Sequence, residues 1–370
     1  MKILHLSHAM IWGGNEQQLV DLIPALEKQN IDNTVFCFEK SAIKDYCSKH
    51  KINYISIKKK GTYSLKLAKK LNQIIIEYGF DIIHMHTSNS VGTYLIFQLI
   101  YSTKVSGVFS KKGISDSSSF LSKIKYNFKK IDQIICVSKA VLNNFSKVLS
   151  KKNKYKLNLV YDGINLNRIK PSPNQEFRQK LNLEPNTFLI GSIANHAKAK
   201  DLTTLIKAIN ELTKTLGEKN IFCVQIGSHS NLTEGYNKII KKLNLNGFIR
   251  LTGHKNNASS LLSQFDCLCF SSKREGLPLT ILESFYCETP VISTKAGGIP
   301  EAVTDGINGS LVEVGDYKML AKKIKELKSS IELKKKFIVN GKKTLEKNFT
   351  NDISALKTIE IYNKAVKQRI

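Results

Sequence analysis

Two glutamates, Glu275 and Glu283, stand eight positions apart in the segment Ser272-Lys273-Arg274-Glu275-Gly276-Leu277-Pro278-Leu279-Thr280-Ile281-Leu282-Glu283. Around them the chain changes character. Cys267-Leu268-Cys269-Phe270 is a short apolar run of strand type, a polar loop follows, and Pro278 suits the first turn of a helix, where its missing N–H costs nothing. Leu279, Ile281, Leu282 and Phe285 carry that helix to Thr289-Pro290, which stops it. A strand–loop–helix junction presents unpaired backbone N–H groups and the positive end of a helix dipole, and both favour phosphate. Gly276 lets an anion come close to the backbone. At a rise of about 1.5 Å per residue, Glu283 lies roughly 7–8 Å along the axis from Pro278, about the span from a diphosphate to the sugar of its nucleoside. Glu283 is then placed to accept hydrogen bonds from ribose hydroxyls, and Glu275 to face whatever lies beyond the phosphates. Two alternatives fit the same window: ordinary surface carboxylates near a helix start, and the acid/base pair of a glycosidase.

The whole chain must position these groups. At 370 residues it exceeds the usual single-domain size, so two domains with separate cores are expected. A hydrophobic content of 42% suits a globular enzyme. The cysteines at 37, 47, 136, 223, 267, 269 and 287 form no CxxC and no metal-like spacing; an odd number without a secretory signal points to buried thiols in a reducing cytosol. The apolar start Ile3-Leu4-His5-Leu6 is too short for a signal peptide. The run Tyr94 to Tyr101 falls far short of the roughly 20 residues that span a bilayer.

The formal net charge is +27, with 27 Lys and Arg against 11 Asp and Glu in residues 1–170 alone. Such a balance points to anionic partners: nucleic acid, an anionic lipid surface or a nucleotide-linked substrate; compositional bias toward lysine is the plain alternative. Zinc-finger spacing, RNP-like aromatic motifs and arginine-rich tracts are all absent, so no nucleic-acid partner is expected.

Strand-like and helix-like segments alternate along the chain. Lys2 to Ser7, Thr34 to Phe38, Asn53 to Ile57, Asp81 to His86 and Gln133 to Ser138 read as strands, with helices after Gly14 and over Leu65 to Tyr78. The segment Arg168 to Asn174 has linker composition, and alternation restarts with strands at Phe188 to Ile193, Ile221 to Ile226, Ile249 to Thr252, Cys267 to Phe270 and Pro290 to Ser293. This predicts an α/β protein of two doubly wound, Rossmann-like domains with a cleft between them and ligands at the carboxyl ends of strands. No internal sequence repeat relates the halves.

The pair Glu275 and Glu283, followed by Gly297-Gly298-Ile299-Pro300-Glu301, Asp305-Gly306 and Asn308-Gly309, resembles the signature of family 4 retaining glycosyltransferases of the GT-B fold. The likeness runs through most of the chain: Gly13-Gly14-Asn15-Glu16 is similar to that family's N-terminal glycine loop, Asp81 to His86 to its strand ending in His-x-His, and Val137-Ser138 and Asp162-Gly163-Ile164 to its later markers. The resemblance implies an N-terminal acceptor-side domain over 1–168, a donor-binding domain over 169–351, and a C-terminal helix, 352–370, crossing back to the first domain. It implies further that Glu283 binds the donor's ribose and that Glu275 contacts sugar hydroxyls and supports the departing phosphate. Backbone N–H groups of Gly276, Leu277 and Leu279 would cradle the diphosphate, and Lys200 falls where the family places a diphosphate-binding lysine. The usual arginine of that segment is Asn195 here, one cation fewer unless His196 or Lys198 substitutes. His86, with His84 as competitor, would face the reacting sugar. Gly14 would admit the donor; Asn15 and Glu16 would cap their helix or meet the acceptor.

The implied activity is metal-independent hexosyl transfer with retention, consistent with the absence of any Asp-x-Asp, and it needs no cofactor beyond the co-substrate. The donor would be a UDP-, GDP- or ADP-sugar and the acceptor a saccharide or lipid-linked saccharide of a bacterial surface polysaccharide. Phe120, Leu121, Ile124 and Phe128 recur near one side of a lysine-rich helix; with Lys58-Lys59-Lys60 and Lys151-Lys152 they suggest either a surface resting on the inner face of an anionic membrane or a helix packed on the sheet. Two further classes stay open: a sugar-nucleotide epimerase of related architecture, and a non-catalytic basic polyanion-binding protein.

Overall fold

The alternation read from the sequence builds two sheets, both entirely parallel. The computed structural model describes residues 1–115, 119–172 and 176–369. The first unit comprises Met1–Ile164 and Thr350–Ile370, the second Asn165–Phe349. In the first, strands β1 (Lys2–Leu6), β2 (Asp32–Phe38), β3 (Tyr54–Ile57), β4 (Ile82–Met85), β5 (Ser106–Lys111), β6 (Ile131–Cys136) and β7 (Leu157–Leu159) pair in the order β3-β2-β1-β4-β5-β6-β7. Helices α1 (Gly14–Glu27), α2 (Ala42–His50), α3 (Leu65–Tyr78), α4 (Ser88–Tyr101), α5 (Phe120–Tyr126) and α6 (Lys139–Ser146) connect them.

In the second unit β8 (Phe188–Ile193), β9 (Ile221–Ile226), β10 (Ile249–Leu251), β11 (Cys267–Phe270), β12 (Val291–Thr294) and β13 (Ser310–Val312) pair in the order β10-β9-β8-β11-β12-β13. Its helices are α7 (Glu176–Lys180), α8 (Leu202–Asn210), α9 (Thr233–Lys242), α10 (Leu279–Tyr286), α11 (Ile299–Ala302), α12 (Tyr317–Ser329) and α13 (Ile331–Asn348). The first six strands of one sheet and the six of the other therefore repeat one winding, a relation with no counterpart in the residues. In each, the order reverses beside the first strand: β1 lies between β2 and β4, and β8 between β9 and β11. At such a point the two flanking connections leave in opposite directions and open a crevice at the carboxyl ends of the strands.

Strands β5, β7 and β13 are absent from the sequence reading. Ser106-Gly107-Val108-Phe109-Ser110-Lys111 offers only two large apolar residues, and β7 and β13 are three residues long, so none carries a periodic signal. Their neighbours in the sheet, not their own composition, make them strands.

The last helix, α14 (Asn351–Lys367), belongs to the first unit. Ala355, Ile361, Tyr362 and Ala365 share one apolar cluster with Ile3 of β1, Leu22 and Leu26 of α1, Ile82 of β4 and Val108 of β5. Beyond it, Arg369 pairs with Asp132 at 2.9 Å and donates to the carbonyls of Thr103 and Lys130, so the chain end is pinned to the sheet. The units divide at 164/165 and 349/350, not at the expected 168/169 and 351/352. Ile164 and Thr350 bridge in parallel, holding both passes of the chain on the first unit. The approach is close enough that a Cβ on Gly163 would lie 2.2 Å from the Thr350 carbonyl oxygen, which explains the glycine in Asp162-Gly163-Ile164. Of the expected linker, Pro173 and Asn174 lie outside the described residues, and Arg168 sits in the second unit.

Candidate functional site

In the second unit the two segments that flank the reversal, after β8 and after β11, are joined to each other. Lys273 N donates to Ala199 O at 2.8 Å, and Ser271 Oγ lies 3.1 and 3.0 Å from the carbonyl oxygens of Lys200 and Asp201. From the next strand, Thr294 Oγ1 donates to Ser272 O at 2.6 Å, and Gly298 N reaches Glu275 O at 3.3 Å. The loop carrying Glu275 is thus held from three sides. Its side chain is buried, and Oε1 accepts from both Lys200 Nζ and Ser272 Oγ, each at 2.6 Å. A lysine and a carboxylate in this contact offset each other's charge.

Helix α10 starts immediately beyond. Pro278 is its N-cap and supplies no side-chain cap, so Gly276, Leu277 and Leu279 stand at a helix start whose N–H groups no side chain of the cap satisfies. Glu283 is buried on the second turn, and its Oε1 accepts from Arg168 at 2.5 Å. Ser272, Thr294 and Arg168 were not singled out from sequence. Ser272 lay inside the two-glutamate segment and its spacing of three from Glu275 was a usable signal; Arg168, 115 residues from Glu283, carried none.

The residues expected to replace the missing arginine divide. Asn195 Oδ1 accepts from Ser228 N at 2.8 Å and so ties the loop after β8 to the loop after β9. His196 is buried with both ring nitrogens engaged, Nδ1 with Thr233 Oγ1 at 2.6 Å and Nε2 with Gln225 Oε1 at 2.7 Å, and burial lowers its pKa. It therefore supplies no cation. Lys198 is exposed and remains as the second positive charge on that segment.

The first unit carries a second polar cluster, again at the reversal. His5 on β1 is in register with His84 on β4, and His86 follows one residue past that strand. All three rings are buried. His84 is fully engaged, Nδ1 with Tyr362 Oη and Nε2 with Ser110 Oγ, both at 2.7 Å. His86 Nε2 lies 3.0 Å from His5 Nδ1, while its Nδ1 has no partner. Of the two histidines, only His86 keeps a ring nitrogen without a hydrogen-bond partner. Beside them Lys112 and Asp162 form a buried pair at 2.6 Å; burial pushes the Asp162 carboxyl up against the pull of that lysine.

Among the described residues, His5, His84 and His86 are the one group whose ligand atoms all lie within 4.8 Å, the arrangement a metal would use. Gly14 opens α1, and a Cβ there would meet nothing within 4 Å, so packing does not demand glycine at that position. Glu16 is buried in the first turn of α1, and burial raises its pKa against the pull of the backbone N–H groups of Glu16 and Gly13. Asn15 is exposed.

With this geometry in place, comparison with known proteins is decisive about family. Residues 173–344 match the model for glycosyl transferases group 1, and residues 12–168 the model for Glycosyltransferase Family 4. The chain belongs to the family 4 glycosyltransferases. Its fold is GT-B: it superposes on the Anabaena Alr3699/HepE structure solved with UDP and glucose with a TM-score of 0.86 over 98% of this chain and 99% of that one, at 22% identity. Among curated relatives, the N-acetyl-alpha-D-glucosaminyl L-malate synthase of Bacillus anthracis is 22% identical over 83% of this chain and 81% of its own length. The capsular polysaccharide biosynthesis glycosyltransferase CapM of Staphylococcus aureus is 26% identical over 56% of this chain and 54% of its own.

Burial of the histidines in this glycosyltransferase has a thermodynamic consequence. Desolvation lowers the pKa of His5 and of His8 from 6.5 to about 4. Below pH 6.5 the unfolded chain therefore takes up protons that the folded one refuses until about pH 4. Stability present above pH 6.5 is lost as pH falls through that window, by up to about 1.4 kcal/mol per pH unit for each ring. Denaturant midpoints measured from pH 7.5 to 4.5 are expected to fall steeply below 6.5; a flat profile would show that the rings titrate normally in the fold.

Proposed function

We propose that this glycosyltransferase moves a hexose or N-acetylhexosamine, with retention at the anomeric carbon, from a UDP-, GDP- or ADP-sugar to a saccharide or lipid-linked acceptor in the assembly of a bacterial surface polysaccharide. The observation that carries the reading is the Lys200–Glu275–Ser272 contact beside the start of α10, with Glu283 on the second turn of the same helix. The names of the relatives, which include capsular polysaccharide and lipopolysaccharide core glycosyltransferases, support the acceptor class. The UDP and glucose in the superposed Anabaena structure support the donor class.

In this mechanism the diphosphate takes the start of α10 and draws Lys200 from Glu275. The freed carboxylate accepts from the sugar's hydroxyls, and Glu283 accepts from the ribose. The glycosidic bond to the diphosphate breaks toward an oxocarbenium-like state. The acceptor hydroxyl enters on the same face, and a departing phosphate oxygen takes its proton. The protein's part is positioning and stabilisation of the leaving diphosphate by Lys200, Lys198 and the helix dipole, with no metal needed for that charge. A shift in melting temperature with one of the three nucleotide-sugar types, lost in Glu283→Ala, is the expected result. Product NMR is expected to show the donor's anomeric configuration, with turnover undiminished in chelator. Failure of every nucleotide sugar to shift the protein would refute the donor assignment, and activity restored by magnesium after chelation would refute the metal-free mechanism.

We further infer that the first unit rests on anionic lipid. Phe120, Leu121 and Ile124 of α5 are 76%, 74% and 54% exposed, while Tyr126 of the same helix is buried. The helix ends at Tyr126, so Phe128 is not on its face as expected. Tyr63, 61% exposed, and α5 both border the start of α4, where Lys125 binds Ser88; Lys58, Lys59, Lys60 and Lys123 are exposed nearby in the chain. Among the described residues no helix is long and apolar enough to cross a membrane. Apolar side chains ringed by lysines match the headgroup boundary of an anionic bilayer. The protein is expected to float with phosphatidylglycerol-containing vesicles and to lose flotation when Phe120, Leu121 and Ile124 are replaced by serine; unchanged flotation of that variant would sink the assignment.

A further inference from the structure

Three neighbouring histidine rings look interchangeable, yet the hydrogen bonds around them do not allow it. The decisive atom is remote. The carbonyl oxygen of Ile31 can only accept, and Asn33 Nδ2 donates to it at 2.8 Å, which orients the Asn33 amide with Oδ1 toward His5 Nε2 at 2.9 Å. An amide oxygen cannot donate, so His5 Nε2 carries the proton. In a neutral imidazole Nδ1 of His5 is then bare, and the 3.0 Å contact to it must be donated by His86 Nε2–H. His86 Nδ1, buried and without a partner, is left as a lone pair.

We propose that Ile31, Asn33 and His5 form a positioning relay that holds His86 in its Nε2–H tautomer, so that Nδ1 acts as an obligate hydrogen-bond acceptor for one hydroxyl of the saccharide. The use by saccharide rests on the function proposed above; the tautomer does not. Burial keeps both rings neutral, as the relay requires. His84 is outside it, because the hydroxyls of Tyr362 and Ser110 donate or accept alike. The same arrangement speaks against a metal on the three rings: of their six nitrogens only His86 Nδ1 is unengaged, and coordination would have to break bonds on His84 and His5.

Two-bond proton–nitrogen correlation spectra of histidine-labelled protein, assigned with His86→Gln, decide the tautomer. Wild type is expected to show a single His86 form with Nε2 protonated and Nδ1 bare. In Asn33→Ala, His86 is expected to become a mixture of tautomers, with kcat down about tenfold, the loss of one hydrogen bond, and the melting-temperature shift with free UDP, GDP or ADP unchanged. A fluorine accepts but does not donate. One deoxyfluoro analogue of the donor or acceptor sugar is therefore expected to lose binding to wild type and not to His86→Gln. A protonated His86 Nδ1 in wild type, a single unchanged tautomer in Asn33→Ala, or stoichiometric zinc in the purified protein that His86→Gln abolishes would each overturn the relay. If no nucleotide sugar binds wild type, the function fails while the spectra still decide the tautomer; should Asn33→Ala not fold, the wild-type spectrum decides alone.

Discussion

In each sheet one strand pairs parallel neighbours on both sides while the connections leave it in opposite directions, and this reversal governs where chemistry can be placed. At β1 it brings His5 into register with His84 and leaves His86 at the strand's carboxyl end. At β8 it sets the loop carrying Lys200 against the loop carrying Glu275. Main-chain hydrogen bonds within those loops, such as Lys273 N to Ala199 O, make the separation of two charged side chains a property of the sheet rather than of flexible loops. Without that pairing the lysine and the glutamate are 75 residues apart with no reason to meet.

The two clusters solve the burial of polar groups differently. Around Glu275 a cation and a hydroxyl satisfy one carboxylate oxygen, a neutral and exchangeable arrangement suited to a ligand that brings its own negative charge. Around His86 the partners bonded to the rings are uncharged, and an amide oriented by a carbonyl decides which nitrogen carries hydrogen. The first arrangement responds to charge, the second to the direction of a hydrogen bond. Helix α14 supports the second from behind: Tyr362 sits in the apolar core of the first unit and reaches His84, so the end of the chain contributes to a site formed mainly by its first hundred residues.

Much of this is legible in the sequence. Long apolar strands such as Ile221-Phe222-Cys223-Val224-Gln225-Ile226 and the amphipathic helix Leu65–Tyr78 announce themselves by periodicity, and the two-glutamate segment by its spacing around a glycine and a proline. β5, β7 and β13 did not, being short or mixed in composition, and neither did the repeated winding, which is a property of connections and leaves no trace in residue identity. Arg168 looked like linker because its partner lies in a different part of the chain. The seven cysteines, read as buried thiols from their spacing, are all buried and free.

The sequence by itself determined the longer strands and helices, the presence of two α/β units and the family, because these rest on local periodicity and on motifs contiguous in the chain. It also supplied the candidate groups for the proposed chemistry: Glu275, Glu283, Lys200 and His86. Only the tertiary structure decided how they are held: that Glu275 shares one oxygen between Lys200 and Ser272, that Arg168 holds Glu283, that Asn195 and His196 are committed to their loops, and that Ile31 reaches His86 through Asn33 and His5. These are contacts between side chains distant in sequence, and the direction of a hydrogen bond depends on which partner folding brings opposite, a choice no residue makes alone.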